Sequence, residues 1–183
     1  KDMKIITCHL GNGCSITAVK DGKCFDTSMG FTPLDGFMMG TRTGTLDPSA
    51  LTFIAEKENL SPADINRICN KESGVLGVSG VSNDNRDVSK AAAEGNHRAQ
   101  LAIDMQRYQI LKFVGSYIAA MNGVDAIAFT GGIGENDPAL RKSVCENLTY
   151  LGAKIDDEKN ALRGKEIKIS KCANAAECPW AQY

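Results

Sequence analysis

A long amphipathic period followed at once by an apolar run is the feature that most restricts how this chain can fold. From Asn96 to about Asn122, apolar side chains recur three, four and seven residues apart, which is the spacing of one face of an α-helix. At about 1.5 Å per residue this helix would be roughly 40 Å long. The apolar run 124–130 follows it and predicts a buried strand. We therefore expect this helix to be the spine of the domain.

The N-terminal part of the chain has the pattern of a β-meander. Three short strands are predicted at 4–8, 14–19 and 23–27. Asp21-Gly22 separates the second strand from the third and has the residues that a type I′ hairpin turn requires, while Gly11-Asn12-Gly13 separates the first from the second. The sheet is therefore expected to begin with antiparallel hairpins rather than with a βαβ unit.

The rest of the chain alternates between capped helices and glycine-rich loops. A capping side chain followed by proline marks the predicted helix starts at Asp47-Pro48, Ser61-Pro62 and Asp137-Pro138, the last helix running to about Leu148. Irregular backbone is predicted at 30–44, 74–80, 82–87 and 131–136, and a last strand at 166–170. A long irregular stretch inside a compact domain is usually functional or disordered. The sequence has no internal repeat and no linker, so we expect one domain.

Composition and charge argue against several classes of protein. The 183 residues include 21 Lys and Arg against 22 Asp and Glu, and 43% are apolar, so a packed core is expected. The net charge of −1 argues against a nucleic-acid or membrane-surface binder. No apolar run reaches the roughly 20 residues that cross a bilayer. Seven cysteines without a Cys-x-x-Cys pair, and only two histidines, predict reduced thiols in a cytoplasmic protein and no zinc site.

Four segments could hold a ligand, and each also has a purely structural interpretation. Glycines at 131–136, directly after a strand, would let a ligand approach the backbone, and the following helix would offer its N-terminal N–H groups to an anion. The same glycines could serve only a tight strand-to-helix connection. Their spacing matches neither the Rossmann nor the P-loop motif, which disfavours a dinucleotide site.

The other three segments carry polar side chains in turns and loops. His9-Leu10-Gly11-Asn12-Gly13 could present N–H groups to phosphate oxygens, although turn chemistry alone favours an ordinary hairpin. Arg42 stands among small residues and offers the fixed bidentate donor that a transferring phosphoryl group needs, or it holds its own loop by hydrogen bonds. Asp84-Asn85-Arg86 could bind a ribose hydroxyl and stack on a base, or form a local salt bridge or cap.

Together and in this order, these segments resemble the acetate kinases, within the group of short-chain acyl kinases. The resemblance extends over about residues 4–170, and no single motif carries it. The matching stretches are 9–15 (HLGNGCS), 26–34 (DTSMGFTPL), 39–42 (MGTR), 73–80 (SGVLGVSG), 84–86 (DNR) and 129–136 (FTGGIGEN).

The resemblance implies an α/β fold of the ribonuclease H-like, actin-like ATPase superfamily. In this fold a mixed sheet starts with the antiparallel meander and is flanked by helices. Residues 1–183 would be the second, C-terminal nucleotide-binding domain of an acetate kinase, truncated, with a divergent tail at 171–183. The first domain, with its acyl-binding arginine and catalytic aspartate, would be absent. So would the glutamate that helps to hold Mg²⁺, and Glu177 is not expected to replace it.

The activity implied by the resemblance is reversible transfer of the γ-phosphoryl group of ATP to acetate, which gives acetyl phosphate and ADP. Arg42 would stabilise the transferring phosphoryl group. The cofactors would be ATP or ADP with Mg²⁺, whose ligands are expected outside this chain. The residues that would contact the nucleotide are His9, Leu10, Gly11, Asn12 and Gly13 at its phosphates, and Asp84, Asn85, Arg86, Gly132, Ile133, Gly134, Glu135 and Asn136 around its nucleoside.

Two other functions remain open at this point. The chain could belong to a propionate or butyrate kinase, because the residues that read acyl-chain length mostly lie elsewhere in the family. It could also be a non-catalytic nucleotide-binding or assembly module, and the fragment alone is expected to be inactive. The resemblance further implies a homodimer in the cytoplasm, with no nucleic-acid or membrane partner. The kinase interpretation requires Arg42 to lie close to residues 9–13 and 132–136.

Overall fold

The computed structural model describes residues 3–163 and 166–171. The expected tail at 171–183 lies outside the described residues except for Lys171, and so do Cys172 and Cys178. The described chain divides into two compact units. The first contains the residues up to Gly11, residues 15–27 and those described from Ile110 onward, and the second contains residues 12–14 and 28–109. None of the described helices combines the length and the apolar character that crossing a membrane requires.

The first unit is built on a mixed sheet of four strands in the order β3-β2-β1-β4. They are β1 (Lys4–Leu10), β2 (Cys14–Lys20), β3 (Lys23–Thr27) and β4 (Ala126–Thr130). β2 pairs antiparallel with β3, and β1 pairs parallel with β4. The Asp21 N–H donates to the Met3 carbonyl oxygen at 2.9 Å, so the chain also reverses between β1 and β2. The predicted meander is confirmed, and β4 adds the parallel pair.

Side chains along the strands alternate between the core and the surface. In β1, Ile6, Cys8 and Leu10 are buried, because successive side chains of a strand point to opposite faces of the sheet. All of β3 is exposed. The prediction that β4 is a buried strand is wrong, since its residues are half-buried or exposed. β4 is the last strand at its edge of the described sheet, so it has a neighbouring strand on one side only.

The helices of the first unit are the second half of the long helix that was predicted as the spine and the short helices that come after β4. The long helix is α5 (His97–Met121), and its residues from Ile110 onward belong to this unit. The buried side chains of this half include Ile110, Val114 and Met121. The elements after β4 are α6 (Gly131–Asn136), α7 (Pro138–Glu146), a 3₁₀ helix (Thr149–Leu151) and α8 (Asp157–Asn160). Asp137 caps α7 as predicted.

Two predictions for this part of the chain are wrong. Residues 131–136 form the short helix α6, which contacts β1 and β4, instead of a loop. Gly131 makes this possible with φ +78°, which a residue with a side chain rarely adopts. The strand predicted at 166–170 is absent from the described residues, because Ser170 forms only an isolated bridge with Ile155 and no further strand extends it.

The second unit combines an irregular segment with four helices. Residues 28–47 form neither helix nor strand, in agreement with the prediction for 30–44. The helices are α1 (Pro48–Lys57), α2 (Pro62–Lys71), α3 (Gly74–Ser79) and α4 (Asn85–Ala93), joined by the first half of α5. Asp47 and Ser61 cap α1 and α2 as predicted. One core cluster of this unit consists of Met38, Val75, Val88, Ala99 and Ala102.

The loop predicted at 74–80 is in fact helical over most of its length, and the second half of the loop predicted at 82–87 is the start of α4. α3 has no side-chain cap. Instead, the N–H groups of Val75 and Leu76 donate to the carbonyls of Met39 and Gly40 at 2.8 and 2.9 Å. These bonds to a distant segment satisfy the first turn of α3, so a helix forms despite its glycines. They also fix the backbone of the irregular segment beside α3.

Candidate functional site

The first half of the turn at 9–13 lies in the first unit, against α6. His9 is paired with Thr130 across the parallel ladder, and its Nδ1 lies 3.0 Å from the Thr130 hydroxyl. A Cβ on Gly131 would lie 2.6 Å from the Leu10 carbonyl oxygen, so glycine is required for α6 to start this close to β1. The structure thus brings His9 and Leu10 together with the segment 131–136. Thr130 was not singled out from the sequence, because only the β1–β4 register reveals it.

The helix α6 leaves part of its backbone uncovered. The Glu135 carboxylate accepts from the Gly131 N–H at 3.2 Å, and the Asn136 amide donates to the Gly132 carbonyl at 2.9 Å. These two side chains therefore fold back onto their own helix. A Cβ on Gly132 would meet no described atom within 4 Å. Gly132 consequently offers a patch of backbone that a ligand can approach closely.

The start of α7 is already occupied by a carboxylate. The Leu140 N–H donates to the Asp137 side chain at 2.9 Å. Because a negative charge already lies at this helix end, an anion is disfavoured there. The geometry therefore does not support the anion site expected at this helix, and the open backbone of α6 at Gly132 is the candidate ligand contact of this unit.

The second half of the turn, Asn12 and Gly13, lies in the second unit. The Gly40 N–H donates to the Asn12 carbonyl at 3.0 Å, and the Asn83 amide donates to Asn12 Oδ1 at 2.9 Å. A Cβ on Gly40 would overlap the Asn12 side chain. Sequence reasoning missed Asn83 because it lies 71 positions from its partner. Its only signal was its place directly before Asp84-Asn85-Arg86.

Arg42 lies beside this turn. Its Nη1 is 3.3 Å from the position that a Cβ on Gly13 would take. The same nitrogen donates to the Pro33 carbonyl at 3.3 Å and lies 3.7 Å from the Met39 sulfur. Within the described ranges no carboxylate forms a salt bridge with Arg42. The required proximity of Arg42 to the 9–13 turn is therefore present at Gly13, while 132–136 belongs to the other unit.

Asp84 and Arg86 form a local pair. The Asp84 carboxylate accepts from the Arg86 N–H at 2.9 Å, which caps α4, and from the Arg86 guanidinium at 2.6 Å. These hydrogen bonds lower the pKa of Asp84 to about 2. The cap and salt bridge considered from the sequence are therefore both present. The Arg86 side chain is 90% exposed, so its plane can still be approached.

Asn85 joins two helices. Its Nδ2 donates to the side-chain oxygen of Gln106 in α5 at 3.0 Å, and Gln106 is buried. The Asn85 Oδ1 is buried and has no hydrogen-bond partner among the described residues. Gln106 was not anticipated, because the apolar pattern of the helix gave no sign of a buried amide. In this geometry Asn85 supports the α4–α5 packing beneath Asp84 and Arg86.

Two other kinds of chemistry find no support in this part of the molecule. Burial raises the pKa of Cys8, the neighbour of His9, to about 12, so its thiol is not an activated nucleophile. Over residues 3–163 and 166–171, no three His, Cys, Asp or Glu side chains are grouped so as to hold a metal ion. What remains is a guanidinium without a carboxylate partner beside a glycine turn, and an open glycine backbone. Such groups bind phosphate oxygens and position a ligand.

Comparison with known proteins places these elements in one family. Residues 1–179 match the Acetokinase family. The chain is 59% identical over 178 residues to an acetate kinase from Heliobacterium modesticaldum, and 60% identical over 169 residues to one from Carboxydothermus hydrogenoformans. These alignments cover 97% and 92% of the chain but only 44% and 42% of the relatives. The chain thus spans less than half the length of the curated relatives it matches.

Solved structures agree with the sequence comparison. An acetate kinase from Porphyromonas gingivalis has a TM-score of 0.90 at 52% identity, covering 93% of this chain and 43% of that one. A propionate kinase from Francisella tularensis has a TM-score of 0.86 at 48% identity, covering 93% and 44%. The expected fold, a mixed sheet with flanking helices as in the actin-like ATPases, is confirmed. On its sequence and its fold, the chain belongs to the acetokinase family.

Proposed function

We propose that the intact enzyme, meaning a full-length protein that carries this segment, transfers the γ-phosphoryl group of ATP to acetate. A carboxylate oxygen of acetate attacks the γ-phosphorus and forms the new O–P bond. The bond from the γ-phosphorus to the β,γ-bridging oxygen breaks, and its electron pair leaves with ADP. The reverse reaction makes ATP from acetyl phosphate and ADP. The names of the two acetate kinases reported above support this choice of reaction.

The main support for this proposal is the position of the Arg42 guanidinium beside Gly13. Charge spreads over the equatorial oxygens of a transferring phosphoryl group, and catalysis is mostly positioning and charge neutralisation. A guanidinium without a salt bridge to any described carboxylate is available for those oxygens. Its carbonyl and sulfur contacts hold it beside the turn without cancelling its charge.

The other segments are assigned to the nucleotide. Residues 9–13 contact the phosphates in this proposal, with Asn83 and Gly40 holding Asn12. The open backbone at Gly132, with Ile133, Gly134, Glu135 and Asn136, borders the nucleoside. Arg86 stacks on the base, and Asp84 orients Arg86 through their ion pair. Mg²⁺ accompanies the nucleotide, and its ligands are assigned to residues outside this chain, since the described residues offer no cluster for it.

A propionate kinase is the second candidate. The Francisella tularensis propionate kinase matches this chain at 48% identity and a TM-score of 0.86, nearly as well as the acetate kinase structure. Acyl-chain selection therefore needs a direct measurement. The test is the formation of acyl hydroxamate by the intact enzyme with ATP and acetate, propionate or butyrate. A higher kcat/KM for acetate supports the proposal, and a higher value for propionate supports the second candidate.

The same assay decides whether the protein is catalytic at all. Nucleotide binding without phosphorylation of any of the three acids would favour the non-catalytic binding or assembly module. The enzyme is further proposed to act as a homodimer in the cytoplasm. Sedimentation equilibrium of the intact enzyme measures its mass directly, and the mass of one chain would rule out the dimer.

A further inference from the structure

A buried arginine in the first unit is held mainly by hydrogen bonds to neutral oxygens. Arg141 of α7 is 6% exposed, and burial lowers its pKa. Its guanidinium donates to the Gly134 carbonyl and to Asn160 Oδ1, both at 2.8 Å, and also to the Asn160 carbonyl. No salt bridge to Arg141 is formed by any described carboxylate. The charge of nearby Asp137 partly opposes the lowering of the Arg141 pKa by burial, while the hydrogen-bond acceptors are all neutral oxygens.

Asn160 completes the same network. It is 3% exposed and lies at the end of α8. Its Nδ2 donates to the Pro138 carbonyl at 2.9 Å while its Oδ1 accepts from Arg141. The two side chains thus hold one carbonyl of α6, at Gly134, and one of α7, at Pro138. They fix the junction between these helices from the side of α8.

Burying the Arg141 guanidinium costs free energy, which indicates that its hydrogen-bond geometry has a role. Moving a charged group out of water is unfavourable, and apolar side chains of similar volume often stabilise a fold better than buried ionic groups. Hydrogen bonds from a charged donor are shorter and stronger than neutral ones, so they hold an acceptor in place. The acceptor here belongs to α6, the glycine helix whose open backbone at Gly132 borders the nucleoside in the proposed function. A helix of six residues gains little rigidity from its own bonds.

We propose that Arg141 and Asn160 are positioning residues that hold α6 in the conformation that binds the nucleoside. This inference rests on the proposed function. Neither residue touches the ligand in this account. Loosening the network therefore weakens the interactions that α6 makes, and leaves those of the phosphates with residues 9–13 and Arg42 unchanged.

The experiment compares ADP with pyrophosphate as ligands of the intact enzyme. Arg141→Lys keeps the charge but loses the forked set of donors, and Asn160→Ala removes the bond to Pro138 and one acceptor of Arg141. Each variant is expected to weaken ADP binding about tenfold, as for the loss of one hydrogen bond to a charged group. Pyrophosphate affinity should stay within about twofold of the wild-type value, and kcat at saturating ATP should change less than KM.

Arg98→Lys is the matched control. Arg98 also donates to two carbonyls of a short helix, those of Val78 and Gly77 in α3, at 2.9 and 2.8 Å. This control should leave the ratio of ADP to pyrophosphate affinity unchanged.

If Arg141→Lys does not fold, the test uses Asn160→Ala and hydrogen exchange of the 132–136 amides. Faster exchange is expected in that segment.

The outcomes separate the two proposals. Wild-type enzyme that binds no ADP overturns the proposed function and this inference with it. Wild-type enzyme that binds ADP, with variants that lose thermal stability but keep the wild-type ratio of affinities, overturns this inference alone. Equal losses for ADP and pyrophosphate do the same, because the network would then act on the whole unit.

Discussion

Single residues differ in how far the sequence alone reveals their partners. Asp84 and Arg86 are two positions apart, and both the cap and the ion pair between them follow from local chemistry. Asn83 and Asn12 are 71 positions apart, so their hydrogen bond depends on how the chain folds back. Arg141 gave no signal either, because its acceptors are carbonyl and amide oxygens that any sequence supplies. Local rules thus identify caps, and tertiary structure selects the distant supports.

Arg42 is the residue whose replacement tests the chemistry most directly. In the intact enzyme, Arg42→Ala is expected to lower kcat about 10³-fold while KM for ATP changes less than about threefold, because the charge acts mainly in the transition state. Arg42→Lys should restore little, since an ammonium group cannot reproduce the fork. Steady-state kinetics measure both values.

Arg67→Ala is the matched control for Arg42. Arg67 is an exposed arginine of the same unit, paired with Asp64 on α2 and with Glu72 directly after it. Its replacement should leave kcat and KM near the wild-type values. Equal losses in kcat and in nucleotide affinity on Arg42→Ala would contradict a role confined to the transferring group.

The Asp84–Arg86 pair predicts a pH dependence of stability. The pKa of Asp84 is about 2 in the folded chain, against an ordinary value of 3.8, because the Arg86 side chain and N–H hydrogen-bond to its carboxylate. A lowered pKa stabilises the fold above about pH 4, and this contribution is lost as the pH falls towards 2. Urea unfolding of Asp84→Asn and wild type should therefore differ at pH 6 and converge between pH 4 and 2.

Arg86→Gln provides the control for this measurement. It removes the same ion pair from the other side, so its unfolding curve should converge with that of the wild type over the same pH range. Asn at position 84 retains a capping oxygen, which separates the ion pair from the cap. A constant difference between Asp84→Asn and wild type from pH 6 to 2 would show that the ion pair does not contribute.

At the scale of elements, the long helix and the helices that start with a cap followed by proline were predictable, whereas α3, α6 and the start of α4 were not. Turn, cap and periodicity rules predict the hairpin strand 23–27, the caps Asp47 and Ser61 and the long helix. The sequence predicts loops at α3 and α6 because glycine is a poor helix former. α3 forms because the distant carbonyls of Met39 and Gly40 satisfy its first turn. In α6 the Gly134 carbonyl accepts from the Arg141 side chain.

The open backbone of α6 can be tested by adding one methyl group. The Cβ that Gly132→Ala adds would meet no described atom within 4 Å. The free energy of unfolding should therefore stay unchanged or rise by up to about 1 kcal/mol, as expected for Ala in a helix. If the nucleoside packs on this backbone, the same methyl group should weaken ADP binding several-fold. Urea unfolding and calorimetric titration of the intact enzyme give the two values.

Gly115→Ala in α5 is the matched control for Gly132. Its added Cβ also meets no described atom within 4 Å, and it lies on a helix of the same unit. It should change stability in the same direction and leave ADP affinity unchanged. Undiminished ADP binding by Gly132→Ala would remove this backbone from the nucleoside site.

At the scale of the whole molecule, the chain spans less than half the length of its curated relatives. It covers 44% and 42% of the two curated relatives, so in our proposal residues outside it complete the binding site for ATP and acetate. We expect the isolated chain to bind ADP weakly at best, because only part of the contacts is present. It should form no acyl hydroxamate from acetate and ATP. Clear turnover by the isolated chain would contradict the assignment of essential groups to the remainder.

The lack of a salt bridge at Arg42 within the described residues has a practical consequence for the solutions in which the enzyme is studied. Simple oxyanions such as sulfate and inorganic phosphate carry the same geometry of oxygens that this guanidinium would recognise. They should therefore compete with the triphosphate. Kinetics in a phosphate buffer should show a higher KM for ATP than kinetics in a zwitterionic buffer of equal ionic strength, and crystals grown from ammonium sulfate should carry an anion next to this side chain.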